Sequence, residues 1–139
     1  MNHNALFVLL LLSGCAPQAE NHAESPASET SLCQIVGNET RFEGKEVTLA
    51  GSAVAGSHAF EISLADDRCP NKYVGLEIPM KFATDAGVQN LIRQLYPGYP
   101  EDEAYTKNRV RIYVSGKLVM RKLRGLQSRI LEVESIRII

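Results

Sequence analysis

The 139-residue chain has no tryptophan, three cysteines, three histidines and 6% aromatic residues. Each shortage excludes something. With so few aromatics there is no broad platform for stacking bases or sugars. His58 is the only histidine beyond residue 31, too few for a histidine-based metal centre. It is also the one candidate base for a catalytic triad, which needs a nucleophile and an orienting acid beside it in space. Ser57 adjoins it, but neighbouring side chains of an extended chain point apart, so a surface loop histidine is the expected role. No glycine-rich phosphate cradle is present. Asp66-Asp67 lacks the spacing and glycine of a calcium loop, and Glu101-Asp102-Glu103 reads as a solvated loop. These absences call for no metal, no cofactor and no catalysis. The longest apolar run, Ala5 to Leu12, has eight residues, about 12 Å of helix where a bilayer core needs about 20 residues. That excludes a spanning helix and fits the apolar part of an export signal.

What is present begins where that run ends, at Leu12-Ser13-Gly14-Cys15. This tetrapeptide resembles the lipobox of bacterial lipoproteins. Small Ser13 and Gly14 suit a narrow protease cleft, and only a thiol forms the thioether to lipid. The resemblance implies a signal peptide over 1–14 and acylation of Cys15, palmitate-type chains included. The protein would then be anchored in the bacterial cell envelope, facing the periplasm, with the outer membrane as the expected site. Each buried CH₂ adds about 0.8 kcal/mol to such an anchor. An ordinary cleaved signal ending near Ala16 is the alternative.

Residues 15–31 follow as the lipidated cysteine and a tether. From 16 to 31 there is no Leu, Ile, Val or aromatic residue, so this stretch cannot bury a core and reads as a flexible acidic linker. The domain is then 32–139, with no internal repeat. With Cys15 acylated, Cys33 and Cys69 remain as an even pair in an oxidising compartment. A disulfide between them closes a loop worth roughly 3–4 kcal/mol in the chain-entropy model. Two independent buried thiols are the alternative.

Within the domain, Ser31 to Gly37 reads as a short helix with Leu32, Ile35 and Val36 on one side and Gly37 as its stop. Phe42 to Lys45 reads as a turn. Val47, Leu49 and Ala53 alternate with polar residues, the period of a half-buried strand, and Gly51 suggests a bulge or sharp bend. Phe60, Ile62 and Leu64 give a second strand, and Val74, Leu76 and Ile78 a third. The period then changes. Val88, Leu91, Ile92 and Leu95 form one helical stripe, with Thr84 as the expected cap and Pro97-Gly98 as the end. Val110 to Arg121 alternates as the longest strand, and Arg124-Gly125 forms the following turn. In the fifth strand, Leu131 and Val133 share one parity and Ile136 and Ile138 the other. One extra residue exchanges the faces of a strand, so a bulge is expected near Glu134–Ser135.

Three strands, a helix and two strands resemble the OB-fold, a five-stranded Greek-key barrel. The stretch Phe42-Glu43-Gly44-Lys45-Glu46-Val47-Thr48-Leu49-Ala50-Gly51 is similar to the first strand of nucleic-acid-type OB domains and their exported bacterial relatives. The resemblance covers about 46–139. It implies an all-β fold with one helix between strands three and four, here preceded by the short N-terminal helix. Another small α+β or barrel fold is the alternative.

Charge is uneven. Residues 107–139 hold nine Lys or Arg against two Glu, a net of +7, while 15–106 hold six basic and fourteen acidic residues, a net of −8. The densest basic group is Arg121, Lys122, Arg124 and Arg129, around the last turn. In OB-folds that turn and the first hairpin loop, here with His58, flank the ligand face. His58, Arg121, Lys122, Arg124 and Arg129 are therefore the candidate ligand-binding residues, suited to phosphates, lipid headgroups or anionic glycans. The plain alternative is a solvated basic edge that keeps long strands from pairing with other chains. A periplasmic location argues against nucleic acid as the partner. The expected function is a lipid-anchored binding or adaptor domain recognising an envelope protein or an anionic envelope component. A structural or assembly lipoprotein acting through exposed barrel edges is the second reading, and a hydrolase using His58 the weakest.

Overall fold

The structure is a computed structural model that describes residues 29–56, 61–102, 104 and 106–139. The signal, Cys15 and His58 lie outside the described residues, as do Ser57 and Phe60.

Five strands close into a barrel: β1 (Glu46–Ala55), β2 (Ile62–Ala65), β3 (Tyr73–Glu77), β4 (Val110–Leu123) and β5 (Leu126–Ile138), ordered β1-β2-β3-β5-β4. All neighbours run antiparallel except β3 and β5. With a helix, α3 (Ala86–Leu95), between β3 and β4, the architecture is OB-like, as the order of elements implied.

β1 serves two neighbours. Glu46–Ala53 pair with β4 and Ser52–Ala55 with β2. No register shift interrupts it, so of the bulge or sharp bend suggested at Gly51 the bulge is absent. Gly51 meets a different demand: a Cβ there would lie 2.7 Å from the Ala65 carbonyl oxygen and 2.9 Å from Leu64 Cγ. Alternation does place Leu49, Ala53, Leu64, Val74, Ile112, Val114, Leu118 and Leu131 in one buried core. The bulge expected in β5 is present. Ser115 faces Ser135 but Gly116 faces Val133, which leaves Glu134 as the extra residue. This resolves the change of parity: Leu131 and Val133 point into the core, and beyond the bulge Ile136 and Ile138 pack against it. β2 begins at Ile62 and β3 ends at Glu77, leaving Ile78 beyond the strand though packed on the core.

α3 caps one end of the barrel. Its four stripe residues, Val88, Leu91, Ile92 and Leu95, are all buried. The cap is Asp85 and not Thr84: the Asp85 carboxylate accepts the Val88 N–H at 2.9 Å, in keeping with the stronger preference for Asp over Thr at that position. Tyr96 follows, fully buried, and its hydroxyl donates to the Glu61 carbonyl oxygen at 3.2 Å.

Ahead of the barrel, α1 (Leu32–Ile35) carries a capping box between Ser31 and Gln34. A second helical turn, α2 (Glu39–Phe42), stands where the sequence suggested only a turn at Phe42. Thr30 bridges Leu49 in parallel, with its N–H on the Thr48 carbonyl oxygen at 3.0 Å. The last residues assigned to the tether therefore belong to the fold. Cys33 of α1 and Cys69, in the loop after β2, form the expected disulfide, with their Cα atoms 5.5 Å apart.

Candidate binding face

β4 and β5 outrun their neighbours. β1 pairs with β4 no further than Lys117 (Leu118 then bonds the backbone of Gly44 and Lys45), and β3 pairs with β5 only over Ile130–Glu132. The remainder, 119–129, is a two-stranded arm. Arg124 and Gly125 turn it with φ of 48° and 82°; the positive φ at both central positions is that of a type I′ hairpin, whose twist matches the strands. Two-residue pairing sets Leu123 opposite Leu126, Arg121 opposite Ser128, and Val119 opposite Ile130 on one face. Lys122 with Gln127, and Met120 with Arg129, lie on the other.

The first of these faces overhangs the outer surface of β2 and β3. Between them lies a groove of about 740 Å³. Ser63, Tyr73 and Gly75 line it from the barrel side, and Leu123, Leu126 and Ile130 from the arm, with Gly56 and Glu61 also in its lining. Small Ser63 and Gly75 keep the barrel side low. A side chain at Gly75 would place its Cβ 2.9 Å from Ile130 Cδ1. The apolar side chains around the groove are exposed: Leu126 by 74%, Leu123 by 49% and Tyr73 by 46%. The groove lies on the outer face of β2 and β3, next to Gly56 and Glu61 and beneath the last hairpin, on the strand face that OB-folds commonly use for ligands.

The four basic residues do not form one free cluster. Arg121 is bound to Glu77 and, at 2.7 Å, to Glu132. The hydrogen bond to Glu132 is the first reason its guanidinium is held further into the charged form than usual. Arg129 points to the opposite face and grips Glu39 at 2.6–2.8 Å. Of the four, Lys122 and Arg124 stand exposed and have no ion pair among the described residues. Tyr113, on the outer face of β4, is partly covered, with the Arg137 guanidinium 4.9 Å from its ring centre. Tyr73 is the aromatic that remains open to a ligand.

The Glu39 carboxyl is pushed down to about 2, first by backbone hydrogen bonds at Glu39 and Gly37 and then by Arg129. A depressed carboxylate stabilises the fold above its unfolded value of 4.5 and loses that contribution as pH falls toward 2. Arg129→Gln is therefore expected to lower stability above about pH 5, by no more than about 1 kcal/mol, and to make the fall of stability between about pH 5 and 2 shallower. Urea titrations across that range check this, and an unchanged acid limb would contradict it.

Among the described residues one carboxylate is buried. Asp66 lies beside the Cys33–Cys69 disulfide. It accepts from Arg68 Nε at 2.9 Å and Nη2 at 2.7 Å, and from the Arg68 N–H at 3.0 Å. The Arg68 side chain holds its carboxyl below the usual range against the opposing effect of burial. With both sulfurs in the disulfide, this is a satisfied structural ion pair.

No family model matches the chain, and no curated protein matches it.

Proposed function

We propose that this protein is a non-catalytic binding or adaptor domain of the bacterial envelope, tethered through lipid on Cys15 by the linker that precedes Thr30. The observation that carries the reading is the groove between the outer face of β2–β3 and the overhanging arm. It is large enough for a peptide segment or a headgroup-sized ligand, and it is lined by exposed Leu123, Leu126 and Tyr73. Apolar anchors with small residues between them suit a protein partner better than a purely anionic one. Arg121 and Arg129, the two cations already committed to Glu77, Glu132 and Glu39, weaken the case for a phosphate site.

Two variants separate the parts of this reading. Ser63→Arg together with Tyr73→Ala alters the groove at exposed or half-buried positions. It is expected to reduce co-purification of envelope partners at least tenfold while leaving the melting temperature within a few degrees of the parent. Cys15→Ser is expected to abolish incorporation of a radiolabelled lipid precursor and release the chain from the membrane fraction. Unchanged partner recovery with the groove variant would reject the binding face, and label retained by Cys15→Ser would reject the anchor.

A further inference from the structure

The tip of the arm carries two cations that the groove does not use, beside two leucines that also line it. Over 119–131 the chain contains no acidic residue. Arg121 is paired with Glu77 of β3 and Glu132 of β5, and Arg129 with Glu39 of α2, but Lys122, near the turn, and Arg124, in it, have no ion-pair partner among the described residues. Beside these two free cations, Leu123 and Leu126 face each other across the last pair of the hairpin, exposed by 49% and 74%. Lys122 belongs to the opposite face and Arg124 to the turn itself, so the cations flank the apolar pair. The type I′ turn makes this end narrow and fixes its shape without help from other elements.

From these features we infer that the arm tip docks into the surface of an anionic lipid bilayer. Leu123 and Leu126 enter the boundary between headgroups and acyl chains, and Lys122 and Arg124 lie among the phosphates. Apolar side chains flanked by basic ones bind interfaces in this way, the apolar part through burial and the cations through attraction to anionic lipid. Long basic side chains reach back to the headgroups while their stems stay in the apolar layer. The charge of the tip is what selects the occupant: an electrically neutral apolar partner gives Lys122 and Arg124 no counter-charge, and an anionic bilayer gives both of them one. The inference gives Leu123 and Leu126, which also line the groove, a second contact through the free cations beside them, and it holds whether or not Cys15 is acylated.

The absence of tryptophan makes the test direct. Leu126→Trp gives the full chain a single tryptophan at the tip, and Arg93→Trp gives one on the exposed side of α3 as a control. Vesicles of mixed phosphatidylglycerol and phosphatidylcholine, with brominated acyl chains as quencher, report depth only where the indole enters the bilayer. For Leu126→Trp we expect a blue-shifted emission and strong quenching on these vesicles, and neither on phosphatidylcholine alone. For Arg93→Trp we expect neither in any vesicle. Adding Lys122→Ser and Arg124→Ser to Leu126→Trp is expected to weaken tip insertion about 30-fold, at about fivefold for each charge. Ser63→Arg with Tyr73→Ala should leave insertion unchanged. Tip fluorescence that does not respond to anionic vesicles, or that responds equally with Arg93→Trp, would overturn the inference. So would a response that needs an added protein partner. Failure of the groove variant to lose its partner would reject the proposed function and leave this result standing.

Discussion

Gly116→Ala is expected to cost about 3 kcal/mol of folding stability or more, a large share of the roughly 5–15 kcal/mol that holds a small domain folded. The usual rule for strands points the other way, since glycine in a strand interior is about 0.5–1 kcal/mol worse than alanine. At this position close approach decides the sign. Gly116 is buried and faces Val133 at the bulge, where the backbone of β5 leans across β4. A Cβ there would collide with the Glu132 carbonyl oxygen, come within 2.9 Å of the Glu132 carbonyl carbon and lie 3.1 Å from Val133 Cα. All three are backbone atoms held by the ladders to β3 and β4, so none can move aside as a side chain would. Urea denaturation of Gly116→Ala beside Gly125→Ala checks this. The second change strains a turn at φ of 82° but meets no atom within 4 Å, so its loss should be the smaller. An equal or smaller loss at Gly116 would mean that the bulge does not bring β4 and β5 this close.

The second large effect is expected from Cys33→Ser with Cys69→Ser. The bridge spans 36 positions, and in the chain-entropy model closing such a loop is worth about 4 kcal/mol. Its location makes the loss felt beyond that sum. α1 has four residues, too few to persist as an isolated helix. It is held by burial of Leu32 and Ile35 and by the link to the loop after β2. The double variant should therefore show a lowered midpoint together with faster amide exchange at Leu32–Ile35, while α3, with its own buried stripe, keeps its protection relative to the global value. A loss below about 1 kcal/mol would show that packing alone suffices to seat α1.

Much of this was readable in the sequence where a pattern had enough residues to declare itself. Ten residues of helix with four apolar positions in one stripe identified α3, and the switch of parity between Val133 and Ile136 located the bulge to within a residue of Glu134. Setting Cys15 aside left Cys33 and Cys69 as a pair, and the structure joins them. What stayed hidden was either short or distant. α2 has four residues, below the length at which a helical period is visible. Arg121 meets Glu77 across 44 positions and Arg129 meets Glu39 across 90, so a local count of charges made one basic cluster of what is two ion-paired arginines and two free cations. The groove itself has no sequence signal. It arises because β4 and β5 continue past the ends of β1 and β3, and only strand pairing reveals where each ladder stops.

The central claim is that the open face beneath the arm holds a partner. Its most direct test is a photo-crosslinking amino acid placed at Tyr73 in the full chain in living cells, followed by mass spectrometry of the adducts. A discrete envelope protein captured from Tyr73, and not from the same group at Arg93 on α3, is the expected result. Equal capture from both positions, or none from Tyr73 in cells that contain the folded protein, would contradict it.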